Sequence, residues 1–158
     1  MIVEKELIKK QFRIFLEGKS PPLPPEVRKQ IIVGMTGGAF DVLHLGHVFT
    51  LEKAKEYCDF LVVVVSTDDF VMKTKGKLLH PQEYRKKMVE SIKYVDFAIA
   101  GVEDRLSTLN FVSPDVIIFG YDQEPFVPPK RDYRIIKIKE HMDESLYKSS
   151  RIISDLGY

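Results

Sequence analysis

His44 and His47 stand three residues apart in the stretch Gly37-Gly38-Ala39-Phe40-Asp41-Val42-Leu43-His44-Leu45-Gly46-His47. An apolar run, Ile31-Ile32-Val33-Gly34-Met35, precedes it, and a helix-like segment beginning near Val48 follows. A strand, a glycine turn and a helix start bring backbone N–H groups and the positive end of a helix dipole to one place. Such a place attracts phosphate, and two imidazoles add side-chain donors to it. A single histidine is more often structural than catalytic. Here two of the chain's four histidines are bracketed by Gly37-Gly38 and Gly46, which favours chemistry.

The glycines alone do not name that chemistry. The dinucleotide pattern Gly-x-Gly-x-x-Gly is absent, and so is the Gly-Lys-Ser/Thr ending of a P-loop. Two basic clusters lie further on, Lys73, Lys75, Lys77 and Arg85, Lys86, Lys87. The Lys73–Lys77 stretch reads as a loop around Gly76. By itself it is either a phosphate-reaching arm or a solvated basic surface.

The elements that must position these residues alternate from Gln30 onward. The pattern predicts strands over Ile31–Thr36, Phe60–Val65, Asp96–Ala100, Pro114–Phe119 and Tyr133–Ile138. It predicts helices over Val48–Tyr57, Pro81–Tyr94 and Asp104–Phe111, and a last one beginning near Ser149 or Ser150. Phe60-Leu61-Val62-Val63-Val64-Val65 is β-branched almost throughout, as an interior parallel strand requires. Strands spaced by helices imply a doubly wound, Rossmann-like α/β fold, with a mostly parallel five-stranded sheet and helices on both faces. In such sheets the ligand lies beyond the carboxyl ends of the strands. Residues 3–17 carry apolar side chains at helical spacing up to Gly18, and Ser20-Pro21-Pro22-Leu23-Pro24-Pro25 cannot continue a helix. Residues 1–29 thus form a helical appendage that docks on the domain or on a second subunit, and residues 30–158 form the domain itself.

Bulk composition narrows the partners. The chain has 158 residues, 44% hydrophobic and 30% charged, with a formal net charge of +1. That balance suits one soluble domain and supplies no reason for nucleic acid or an anionic membrane. No apolar run approaches the ~20 residues of a membrane span. The one cysteine, Cys58, forms no internal disulfide and reads as a structural thiol. A cytoplasmic location is the expectation.

Several motifs, in order, resemble one family. Gly38-Ala39-Phe40-Asp41-x-x-His44-x-Gly46-His47 resembles the signature of the HxGH nucleotidyltransferases, in their small cytidylyltransferase-like branch. The resemblance continues through Thr67-Asp68-Asp69, Lys73–Lys77, Glu83-Tyr84-Arg85, Ile92–Asp96, Pro114–Ile117, Gly120–Gln123 and Lys148–Ile153, so it covers about residues 30–156. It implies an enzyme that joins a nucleoside triphosphate to a phosphorylated small molecule and releases pyrophosphate. No protein nucleophile is required, so positioning and charge stabilisation carry the reaction. By the family's roles His44 and His47 contact the triphosphate, while Lys75 and Lys77 reach the triphosphate or the acceptor phosphate. Gly37, Gly38, Ala39, Phe40, Asp41 and Gly46 form the nucleotide cradle. Gly120 and Asp122 hold base and ribose, and Ser149 and Ser150 face the outer phosphates. Arg85 either contacts substrate phosphate or braces the lysine stretch. Mg²⁺ accompanies the triphosphate, with no dedicated protein metal cage. The family commonly dimerises. Ala39 departs from its pattern, which usually has Thr there, and this points to a substrate difference.

Within the branch, Gly120-Tyr121-Asp122-Gln123 looks most like archaeal-type FAD synthetases, which adenylylate FMN. The Gly-Asp-Asp-Trp pattern of glycerol-3-phosphate cytidylyltransferases is not matched, and the chain has no tryptophan. ATP:FMN adenylyl transfer is therefore the first expectation, with cytidylyl transfer from CTP to a phospho-alcohol second. A nucleotide-binding regulator without turnover would not need the intact His44, His47, Lys75, Lys77 and Ser149-Ser150 set. A flavodoxin-like binding domain would explain the sheet but not the histidines. Phe126, Tyr133 and Tyr147 are aromatics that could flank a flat ring.

Overall fold

The computed structural model describes residues 3–121, 123 and 133–140. Its centre is a five-stranded sheet of β1 (Val33–Gly38), β2 (Phe60–Val65), β3 (Phe97–Ala100), β4 (Val116–Phe119) and β5 (Arg134–Lys137). The order is β3-β2-β1-β4-β5 and every pairing is parallel. The chain builds outward from β1 to β3, then returns to the other side of β1 for β4 and β5. The direction of winding therefore reverses between β1 and β4, where a doubly wound sheet opens its ligand crevice. The register of β1 with β2 runs on to Gly38↔Val65, whereas its register with β4 ends at Met35↔Ile117. The two strands part company toward their carboxyl ends.

Alternation along β2 distributes the core. Leu61, Val63 and Val65 point to one face and pack with Leu51 and Ala54 of α3 (Leu45–Lys55) and Val89 of α5 (Gln82–Glu90). Phe60 and Val62 point to the other face. They meet Ile8, Phe12 and Leu16 of α1 (Lys5–Leu16) and Val112 of α6 (Arg105–Val112). The N-terminal helix thus docks on the sheet of its own chain. Phe12 sets its ring edge-on to Phe60 at 5.1 Å, with the Arg28 guanidinium over it. Gly18, at φ +79°, ends α1. Its N–H donates to Phe15 O and the Lys19 N–H to Ile14 O, the paired bonds of a Schellman stop. A single-turn helix, α2 (Pro25–Arg28), follows the prolines and ties Arg28 to Asp115 at 2.9 Å.

Three differences from the sequence expectation exceed two residues, while smaller shifts include β1 running to Gly38 rather than Thr36 and β4 beginning at Val116 rather than Pro114. Helix α3 starts at Leu45 rather than near Val48, because His44 acts as its N-cap, a task usually signalled by Ser, Thr, Asp or Asn. The Lys73–Lys77 stretch is not all loop. Residues Asp68–Lys75 form a helix, α4, capped by Thr67, whose hydroxyl oxygen accepts from the Phe70 N–H at 3.1 Å, and stopped at left-handed Gly76. Helix α5 ends at Glu90, short of Tyr94. The expected last helix lies outside the described residues.

Cys58 has the structural role its position suggested. Burial pushes its thiol up to about 11, and a Cβ at Gly34 would come within 2.7 Å of its sulfur.

Removal of the Phe12 ring tests whether α1 belongs to the core. Phe12→Ala should cost about 3–5 kcal/mol in urea unfolding, whereas Leu7→Ala, at a position 49% exposed, should stay within about 0.5 kcal/mol. Equal effects would show that α1 is not packed as described.

Candidate active site

The carboxyl end of β1 turns into α3 through Ala39–Leu43, and the turn is tightly determined. A Cβ on Gly38 would lie 2.9 Å from the Phe40 ring, so only glycine lets that ring fold back. Phe40 itself sits at φ 53°, a left-handed conformation that the surrounding packing must hold. Its ring is buried and rests 5.4 Å from the His47 ring.

The two imidazoles are locked by reciprocal backbone bonds. Nδ1 of His44 accepts from the Gly46 N–H at 3.1 Å, and Nδ1 of His47 accepts from the His44 N–H at 3.3 Å. A ring nitrogen that accepts carries no proton, so each neutral ring keeps its proton on Nε2 and offers it as a donor. The ring centroids are 3.9 Å apart. His47 is pushed down to about 3, first by burial, then by the charges of His44 and Lys75. Without a ligand it is therefore a neutral donor, and an arriving anion would offset both causes of the shift.

Lys75 lies in the exposed last turn of α4, and Lys77 on the exposed stretch beyond Gly76. The charge of Lys75 acts on His47, the smallest of the causes that lower it. Gly37 and Gly120 are joined by a residue not singled out for the site. Gln123 Oε1 accepts from the Gly120 N–H at 2.7 Å, and its Nε2 donates to Gly37 O at 3.0 Å. It bridges the gap where β1 and β4 part. A polar residue just past the glycine that ends a strand at the winding reversal was the available signal. Gln82 does the same between β2 and β3, donating to Val65 O at 3.0 Å and Gly101 O at 2.9 Å.

Two residues expected to touch nucleotide are occupied internally. Arg85 is fully buried: its guanidinium donates to His80 O at 2.9 Å, Ala39 O at 2.8 Å and Asp68 Oδ1 at 2.6 Å. Of its two alternatives this is bracing, not phosphate contact. Asp41, also buried, accepts from the Leu79 N–H at 2.7 Å and the His80 N–H at 2.8 Å. It secures the turn between α4 and α5. Ala39 takes part through its carbonyl, a role indifferent to the missing Thr hydroxyl. Asp122, Ser149 and Ser150 lie outside the described residues, as do Phe126 and Tyr147. The described part of the site is then the β1–α3 turn with Gly46, the histidine pair, the α4 lysines and the β4 end at Gly120.

Most of the chain, this region included, is similar to known proteins. Residues 35–154 match the family described as Cytidylyltransferase-like, so the chain belongs to that family and is a nucleotidyltransferase. More particularly, it is similar to three curated proteins named FAD synthase. That of Ferroglobus placidus is 39% identical over 73% of this chain and 82% of its own length. Those of Aciduliprofundum boonei and Archaeoglobus fulgidus are 37% and 36% identical, over 75% of this chain and 86% and 93% of theirs. Among solved structures, the lipopolysaccharide core biosynthesis protein from Thermoplasma volcanium GSS1 superposes with a TM-score of 0.64 at 34% identity, covering 72% of this chain and 99% of that one. Pantoate-beta-alanine ligase from Francisella tularensis shares the fold at a TM-score of 0.51 and 14% identity, over 92% of this chain and 70% of that one.

The low His47 value carries a stability prediction. Between about 6.5, its ordinary value, and about 3, the unfolded chain holds a proton on His47 that the native protein refuses. The stability tied to neutral His47 is therefore complete above about pH 6.5 and is lost as pH falls toward about 3. His47→Gln should show a smaller drop in Tm than the wild type between about pH 7.5 and 4.5. Parallel drops would mean that His47 is not held neutral.

Proposed function

We propose that the chain transfers AMP from ATP to FMN, forming FAD and pyrophosphate. The observation that carries this is the similarity, at 36–39% identity over about three quarters of the chain, to three proteins named FAD synthase. A phosphate oxygen of FMN attacks the α-phosphorus of ATP in line. The new P–O bond forms as the bond to the bridging oxygen of the β-phosphate breaks, and pyrophosphate leaves.

The chain's own part is to hold and stabilise. The Nε2–H donors of His44 and His47 meet charge developing on the α-phosphate and the leaving group, and the first turn of α3 adds its dipole. Lys75 and Lys77 draw the two phosphate-bearing substrates together and screen their mutual repulsion. The crevice between β1 and β4, with Gly120 at its edge, receives the nucleoside. Among the described residues no three ligating side chains come together. A Mg²⁺ ion would come with the triphosphate, where it would neutralise phosphate charge. A cytoplasmic location and a homodimer belong to the same reading. Among the described residues no helix is long and apolar enough to cross a membrane, and light scattering on the full chain tests the dimer.

Pyrophosphate release should require ATP and FMN together, with FAD identified by chromatography. Release with CTP and glycerol 3-phosphate, and none with ATP and FMN, would overturn the assignment in favour of cytidylyl transfer. His47→Ala should keep its circular dichroism spectrum while losing about 100- to 1000-fold in turnover. Unchanged turnover would remove His47 from the reaction.

A further inference from the structure

The lysine segment is clamped at both of its ends to the signature turn. At its start, Asp68 Oδ1 accepts from Arg85 Nη2 at 2.6 Å, and Arg85 Nη1 donates to Ala39 O at 2.8 Å. At its finish, the Leu79 and His80 N–H groups donate to the Asp41 carboxylate, and Arg85 Nε donates to His80 O at 2.9 Å. The His80 ring adds a contact from its Nδ1 to Asp41 O at 2.9 Å. One guanidinium, with no exposed surface, thus touches the first turn of α4, the end of the segment and the signature turn at once. Between those two anchorages lie Lys73, Lys75 and Lys77.

We infer that Arg85, Asp68 and Asp41 form a positioning clamp that fixes the lysine segment relative to His44 and His47, and so sets how the acceptor phosphate is presented to the α-phosphorus. This inference rests on the proposed transfer reaction. Both carboxylate oxygens of Asp41, the Arg85 guanidinium and Oδ1 of Asp68 are engaged within the clamp. The lysine segment begins after β2, on the side of β1 away from the β4 end, where the nucleoside is held. Loosening the clamp at Asp68 frees the start of the lysine segment, while Arg85 keeps its bonds to Ala39 O and His80 O and so holds the signature turn. A purely structural ion pair would instead lower all parameters together.

Asp68 is the residue to change, because its side chain is 43% exposed while Arg85 is not exposed at all. Asp68→Ala and the milder Asp68→Asn, which keeps an acceptor oxygen, are measured beside Lys75→Ala and the double variant Asp68→Ala/Lys75→Ala. ATP binding is read by calorimetry and transfer to FMN by pyrophosphate release. The expected result is an ATP Kd within about twofold of wild type, with kcat/KM for FMN lowered about 10- to 100-fold in Asp68→Ala. The loss should be smaller in Asp68→Asn. The double variant should be no slower than Lys75→Ala alone, since the clamp acts through the lysine segment. Multiplying losses, or a parallel rise in the ATP Kd, would overturn the inference. If Asp68→Ala does not fold, Asp68→Asn in the wild-type and Lys75→Ala backgrounds gives the same comparison. A wild-type protein that transfers nothing to FMN would instead sink the proposed reaction, a distinguishable outcome.

Discussion

A guanidinium sealed from water has to be answered by acceptors on every side, and Arg85 is answered by three separate segments. Burying such a charge without partners costs several kcal/mol. The signature turn, the start of α4 and the turn before α5 each supply one acceptor to it. The described residues leave no buried side-chain polar atom without a partner, so the demand is met. The turn that bears the histidines is consequently built from the far side of the site as much as from its own sequence.

The histidine pair shows how one group can serve two ends. Each ring gives its Nδ1 to the backbone at the start of α3, in place of the usual hydroxyl or carboxylate cap. That use fixes the tautomer, and the tautomer leaves a donor on the opposite nitrogen. Capping and the orientation of that donor are thus a single geometric commitment, and burial separately lowers the basicity of His47.

Much of this was legible beforehand. All five strands and their parallel sense follow from apolar runs spaced by helical patterns, and the crevice follows from the glycines after the first run. Local rules also stopped α1 at Gly18. What escaped were features set by contacts between distant segments. The Asp68–Arg85 pair spans 17 residues, Asp41 reaches Leu79 across 38, and Gln123 reaches Gly37 across 86. No periodicity records such pairings. Helix α4 was hidden for a different reason. Its lysines and threonine read as solvated coil, and its identity rests on Thr67 at one end and Gly76 at the other. Asp41 and Arg85 are a related case: their charge and place in the motif suggest a ligand contact, and only the folded chain shows the internal bonds they make.

The placement of α1 reaches into how the chain is made. The region matching the family begins at residue 35, whereas Ile8, Phe12 and Leu16 are sealed against Phe60 and Val62. Made before β1 and β2, the helix has no sheet to rest on until those strands have been synthesised. At about 5–20 residues per second that interval lasts seconds. During it the stripe of Ile8, Phe12 and Leu16 is open to water, and a helix of this length is only marginally stable by itself. The nascent chain therefore passes through a stage in which the apolar face that later secures the sheet has nothing to cover it.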